Sequence, residues 1–220
     1  MRTVIPLFDR FTGLDAVGPY EMLAAVPGAE VVFAAAEAGP VRSDTGFLTL
    51  HAELPLRAVT SADLLLVPGG PGQAARMAYR PLLDWLRAID ATTTWTASVC
   101  TGSLLLAAAG LLTGRRATTH WLAKDQLAPL GAVPAAERVV FDGKYATAAG
   151  VSAGIDLALH LIGRTAGHEI ARAVQLGTEY APEPPYAAGT PETAPPALVT
   201  ALRARRGTIL GTADPAHRTG

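Results

Sequence analysis

Apolar residues along this chain come in short blocks, and the blocks alternate between two rhythms. Continuous apolar stretches at 3–8 and 63–67, together with 30–35, predict buried strands. Leu14, Val17, Met22, Leu23 and Val26 recur at roughly helical spacing and predict a helix over 15–26, with Pro19 in its first turn, where a missing N–H costs nothing. Residues 41–54 read as an extended excursion with a turn at Asp44-Thr45-Gly46. Residues 81–89 read as a helix that turns Leu82, Leu83, Leu86 and Ile89 inward, and 95–99 as the next strand. Cys100-Thr101-Gly102 then leads into a helix over 103–109, with Gly110 near its end and Gly114 closing the turn after it.

The second half repeats the alternation. Short strands are predicted at 115–118 and 138–141, and Asp142-Gly143 signals a two-residue hairpin before 145–148. Residues 155–162 are apolar nearly all round and predict a buried helix, and another helix follows at 169–176. Residues 181–196 hold six prolines and predict an irregular arm or loop. A last helix is expected at 198–206, and 211–220 as a flexible tail. Strands alternating with helices imply an α/β fold: a doubly wound, mostly parallel sheet with helices on both faces, forming one domain over 1–210.

Composition narrows the partners. The chain has 220 residues, half of them apolar and 17% charged, with a formal net charge of -1. That balance predicts a packed globule and offers no basic surface to nucleic acid. The start is interrupted by Asp9 and Arg10, too soon for a signal peptide, and no apolar run reaches membrane length. One cysteine makes no internal disulfide. The expectation is a cytoplasmic protein acting on a small molecule, with no nucleic acid and no membrane.

The most informative stretch is Ser98-Val99-Cys100-Thr101-Gly102. A strand ends at Cys100 and a helix begins directly after it. Small residues two positions either side are what a nucleophile on a sharp strand-to-helix turn requires, because larger ones would strike the neighbouring strand and helix. A helix start presents free N–H groups and partial positive charge, which should lower the Cys100 pKa and stabilise negative charge on a substrate. A lone cysteine is more often a small buried hydrophobe. Gly102 and the helix start beside Cys100 argue for the nucleophile.

Pro68-Gly69-Gly70-Pro71-Gly72 closes the preceding strand and should share the carboxyl edge of the sheet with Cys100, where open parallel sheets bind ligands. Gly70 has no Cβ, so its N–H is free to approach a substrate; a plain turn is the alternative. Asp15 is either a helix N-cap or a general acid/base facing that edge. Glu21 either faces the same site or forms a surface pair. His120 is either a partner of Cys100 or a capping or core residue. Trp121, Tyr20 and Tyr186 are candidates for pocket walls and equally for core or dimer contacts. No His, Cys or carboxylate cluster has metal-ligand spacing, so no metal is expected.

These pieces together resemble a known family. Leu14-Asp15-x-x-Gly18-Pro19-Tyr20-Glu21, Val67-Pro68-Gly69-Gly70, Ser98 to Ser103, Ala117-Thr118-Thr119-His120-Trp121 and Gly150-Val151-Ser152-Ala153-Gly154-Ile155-Asp156 are similar to the ThiJ/PfpI superfamily. The match runs over about 4–206, and with the proline arm it resembles most the isonitrile-hydrating branch. The resemblance implies a flavodoxin-like α/β fold, a homodimer and a lyase that needs no cofactor, hydrating an isonitrile to an N-substituted formamide. It implies Cys100 as the nucleophile that forms a thioimidate, and Asp15 as the group that moves protons and positions water. Thr101 would assist through its hydroxyl or N–H. Gly70, Gly69, Glu21, His120 and Ser152 would make the substrate-binding set. Thr101 stands where protease-like members carry histidine, which counts against peptidase activity. Asp15 stands in for the glutamate of deglycase-like members. Regulators of the family append a DNA-binding module, and none is expected here. The alternatives are a redox- or ligand-sensing module using Cys100 without turnover, and a glyoxalase or deglycase acting on reactive aldehydes.

Overall fold

The computed structural model describes residues 1–212. The first half of the chain runs β1 (Arg2–Pro6), α1 (Gly13–Ala24), β2 (Glu30–Ala35), β3 (Gly39–Arg42), β4 (Thr49–Ala52), β5 (Leu54–Pro55), β6 (Leu64–Val67), α2 (Gln73–Arg76), α3 (Arg80–Asp90), β7 (Trp95–Val99) and α4 (Gly102–Ala108). The second half runs β8 (Arg116–Ala117), β9 (Val133–Pro134), β10 (Val139–Asp142), β11 (Tyr145–Ala148), α5 (Ala153–Thr165), α6 (His168–Gly177), α7 (Pro196–Ala204) and α8 (Arg206–Leu210).

Seven strands form one sheet in the order β10-β11-β7-β6-β1-β2-β5. Every neighbouring pair is parallel except the β10–β11 hairpin. The middle strand, β6, has no side chain more than 1% exposed, as a continuous apolar run on a doubly covered sheet requires. On one face α1 packs against α5 and α5 against α6; on the other, α2 and α3 pack against α4. The α/β, doubly wound, mostly parallel architecture expected from the sequence is therefore the one observed. None of the helices among the described residues is long and apolar enough to cross a membrane.

Local departures have physical causes. α1 begins at Gly13, with Thr12 in the extended cap position, so Pro19 falls inside the helix rather than in its first turn. Its missing N–H leaves the Asp15 carbonyl without a helical partner. The β10–β11 hairpin turns on Gly143 and Lys144, because Asp142 still pairs with Tyr145; Gly143 takes φ +61. α5 is not buried all round: His160 is exposed, and Ile155 and Leu159 are half-buried, because only one face meets the sheet. The segment between α6 and α7 has no regular structure and lies largely exposed, as its prolines predict. The terminal helix is two pieces, α7 and α8, broken at Arg205. Of the tail expected to be loose, Gly211 and Thr212 bond back to Thr208 and Gly207; 213–220 lie outside the described residues.

The sheet order locates a ligand crevice. The chain passes from β1 to β2 on one side of β1 and later returns to β6 on its other side. That reversal opens a crevice at the carboxyl ends of β1 and β6, where such folds bind ligands. β7 and β11 end on the same edge.

Candidate active site

Cys100 lies at this edge, one residue past the end of β7, with φ +57. A left-handed non-glycine residue is costly by roughly 1–2 kcal/mol, and here the surroundings hold it. Its N–H donates to the carbonyls of Ala148 and Ala149 at the end of β11. Its carbonyl accepts from Thr119 Oγ1 at 2.9 Å and Ser103 Oγ at 3.2 Å. Gly102 makes the turn sterically possible: a Cβ there would lie 2.1 Å from the Val67 carbonyl oxygen. The sharp turn predicted from the small residues flanking Cys100 is thus present.

Asp15 is not an N-cap. It is the third residue of α1 and fully buried. One carboxyl oxygen, Oδ2, accepts from Gly69 N–H at 2.9 Å. The other, Oδ1, has no N–H or O–H partner, and the carboxyl lies within reach of the Cys100 thiol. Burial with so little compensation pushes the Asp15 pKa up from 3.8 to about 7, with the nearby Asp44 charge adding to the rise.

The thiol departs from expectation. Burial and then the Asp15 charge push the Cys100 pKa well above its ordinary value. The N–H groups of Val151 and Thr101 pull it the other way and do not prevail. The helix after the turn is only seven residues long. A short helix start supplies less charge stabilisation than a fully buried sulfur loses on leaving water. Cys100 and Asp15 therefore form a coupled pair that resists carrying two negative charges at once.

A cavity of about 190 Å³ opens on Cys100. Three of the candidate site residues, Thr101, Gly70 and His120, are in its wall, and His120 also caps the 3₁₀ turn that follows it. Their roles are more particular. Gly70 N–H donates to Thr101 Oγ1 at 2.9 Å, so it is engaged within the protein rather than held open for substrate. The Thr101 hydroxyl ties down the glycine loop, and its N–H points to the sulfur. Gly69 N–H is taken by Asp15. His120 Nδ1 accepts from Leu122 N–H, and burial lowers its pKa, so a neutral ring with its proton on Nε2 faces the cavity.

Three predicted binding residues, Gly69, Glu21 and Ser152, do not line the cavity, and neither does Asp15, which sits beside the Cys100 thiol. Glu21 is exposed on the outward face of α1, because it lies six positions past Asp15 and the helix has turned away. Ser152 is exposed and accepts from Arg138 Nη2 at 3.2 Å. Tyr20 stacks on Phe33, Trp121 packs beside His120, and Tyr186 is 80% exposed. Sequence reasoning missed Thr12, Asp44, Val151, Ile209 and Leu210, all in the cavity wall. Asp44 Oδ2 accepts from Thr12 Oγ1 at 2.9 Å, which brings the β3–β4 hairpin to the site. Among the described residues, no group of three or more His, Cys, Asp or Glu is gathered as metal ligands.

A strained, buried cysteine between a glycine loop and an acidic first helix, on the carboxyl edge of a doubly wound sheet, defines a class. Residues 1–164 match the DJ-1/PfpI family, and the chain belongs to it. Within that family the chain is 45% identical to isonitrile hydratase of Pseudomonas putida over 199 residues, 90% of this chain and 87% of that enzyme. It is 35% identical to the transcriptional regulator CdhR of Pseudomonas aeruginosa over 66% of this chain but only 43% of the regulator. The crystal structure of a ThiJ/PfpI family protein from Pseudomonas syringae superposes with a TM-score of 0.92 at 34% identity, covering 95% of this chain and 87% of that one.

Proposed function

We propose that this chain hydrates isonitriles, R–N≡C, to N-substituted formamides. The observation that carries the reading is the buried Asp15 carboxyl beside the Cys100 thiol, with one oxygen left without an N–H or O–H partner and a pKa near neutrality. The 45% identity to isonitrile hydratase supports it.

An isonitrile carbon has a lone pair and must gain both a proton and a nucleophile. Asp15 in its acid form gives the proton to that carbon while Cys100 Sγ forms the C–S bond, and the thiol proton returns to Asp15. The product of this half is a thioimidate, R–N=CH–S, in which S–H has been added across one carbon. In the second half Asp15 protonates the nitrogen. The resulting carboxylate then takes a proton from water as the water oxygen adds to carbon. The C–S bond breaks, the hydroxyl proton passes through Asp15 to sulfur, and R–NH–CHO leaves. One water is consumed and the pair regains its starting proton count. A group that alternates as acid and base works best with a pKa near the working pH. Thr101 and Val151 N–H groups stabilise sulfur whenever it carries charge.

The test is formamide formation from an aryl isonitrile by the native protein, Cys100→Ala and Asp15→Asn. Turnover by native protein and loss in both variants is expected. No formamide from native protein, with Cys100 still open to alkylation, would remove the hydratase reading.

A further inference from the structure

The family match ends at residue 164, yet the Cys100 cavity is closed by side chains well beyond it. Ile209 and Leu210 of α8 are part of its wall, and Leu210 is 3% exposed. Three ties seat this segment. Gly211 takes φ +71 and presses so close to the glycine loop that a Cβ would lie 2.0 Å from the Pro71 carbonyl oxygen. Arg206 pairs with Asp125 at 2.5 Å. Arg203 lies over the Trp121 ring at 5.9 Å. Asp125 and Trp121 belong to the 3₁₀ turn Trp121–Gln126, which starts directly after His120. The segment is therefore anchored on the two stretches, Pro71 and the His120 turn, that form neighbouring walls of the same cavity.

The cavity is divided by chemistry. Cys100, Thr101, Asp44, Thr12 and His120 bring polar side chains, whereas the side chains of Val151, Ile209 and Leu210 are hydrocarbon only. An isonitrile reacts at its terminal carbon, so a carbon placed at Sγ leaves the nitrogen substituent to fill the rest of the space. At about 190 Å³ that space is smaller than the roughly 300–1,000 Å³ of pockets that hold drug-sized ligands.

We infer that α8 is a substrate-selecting wall, with Ile209 and Leu210 admitting isonitriles that carry a compact apolar substituent and excluding bulky or charged ones. The choice of isonitriles rests on the function proposed above; the gating by α8 does not. The test compares kcat/KM for isopropyl and 2-naphthyl isonitrile in native protein, Ile209→Ala and the milder Ile209→Val. It also compares alkylation of Cys100 by iodoacetamide and by the bulkier N-phenylmaleimide, which needs no hydratase activity. Ile209→Ala should move both ratios about tenfold toward the larger reagent, and Ile209→Val should move them less in the same direction. If the alkylation ratio shifts but native protein makes no formamide, the wall stands and the hydratase reading fails. If formamide forms and neither ratio moves in variants that keep the native unfolding transition, the wall is overturned. Ile209→Val carries the test if Ile209→Ala does not fold.

Discussion

Two buried carboxylates sit at opposite edges of the same sheet, and they are treated in opposite ways. Asp90, at the end of α3 near the starts of β7 and β11, is 7% exposed and well supplied with partners. It accepts from Thr96 Oγ1 at 2.6 Å and Tyr145 OH at 3.1 Å, and pairs with Lys144 Nζ at 3.2 Å. Asp15, at the carboxyl edge, is 0% exposed and has one N–H donor. A satisfied buried carboxylate holds elements together. One left short of donors holds its proton tightly enough to keep it up to near-neutral pH, where it can be exchanged. Burial alone does not identify a functional acid; the count of donors around it does.

The sharpest way to break that contrast is to neutralise each carboxylate. Asp15→Asn should lower kcat/KM by a hundredfold to ten-thousandfold, roughly the range for a lost general acid/base, with little loss of folded protein. Asp90→Ala should do the reverse. It should cost about 2–3 kcal/mol in denaturant unfolding, because Thr96, Tyr145 and Lys144 lose their acceptor, while turnover per folded molecule persists. Equal loss of activity in both would erase the distinction.

Stability against pH gives the next test. Asp15 titrates at about 7 folded against 3.8 ordinarily. Between those values the folded state holds a proton that the unfolded state has lost. Its contribution therefore falls as pH rises through this window, by on the order of 4 kcal/mol across about three units. The difference between native and Asp15→Asn unfolding free energies should trace that fall and flatten above neutrality. A flat difference throughout would place the Asp15 pKa near its ordinary value. The smallest expected effect is at the elbow. Gly102→Ala must move the Val67 carbonyl and should cost about 1–3 kcal/mol in unfolding free energy.

Much of the frame is legible in the sequence because it rests on local patterns. The continuous apolar run marks β6, and β2 and β7 lie where their apolar blocks predict, since strands buried on both faces leave little else for such runs to do. Cys100 is legible because a sharp turn demands small neighbours. Contributions from distant segments are not legible in the same way. Asp15 ceases to be an N-cap because α1 starts earlier and because Gly69, 54 positions away, donates to its carboxyl. The Gly70 N–H looks available until Thr101 Oγ1 occupies it. Asp44 comes from an otherwise polar hairpin and Ile209 from an ordinary apolar pair in α8. The Cys100 pKa moves opposite to the sequence-based expectation because helix-start stabilisation is visible in sequence and depth of burial is not.

The proposed chemistry passes protons between Cys100 and Asp15, so the two must titrate as a pair, sharing the proton that remains once the first of their two is lost. Iodoacetamide alkylation of Cys100 across pH, in native protein and in Asp15→Asn, tests this most directly. The native rate should rise through about pH 7, as the pair loses the first of its two protons, and then level off before the thiol itself ionises at higher pH. In Asp15→Asn the step near neutrality should vanish and only the high-pH rise should persist. Identical profiles in the two proteins would mean that the thiol and the carboxyl titrate independently, and the pairing would be contradicted.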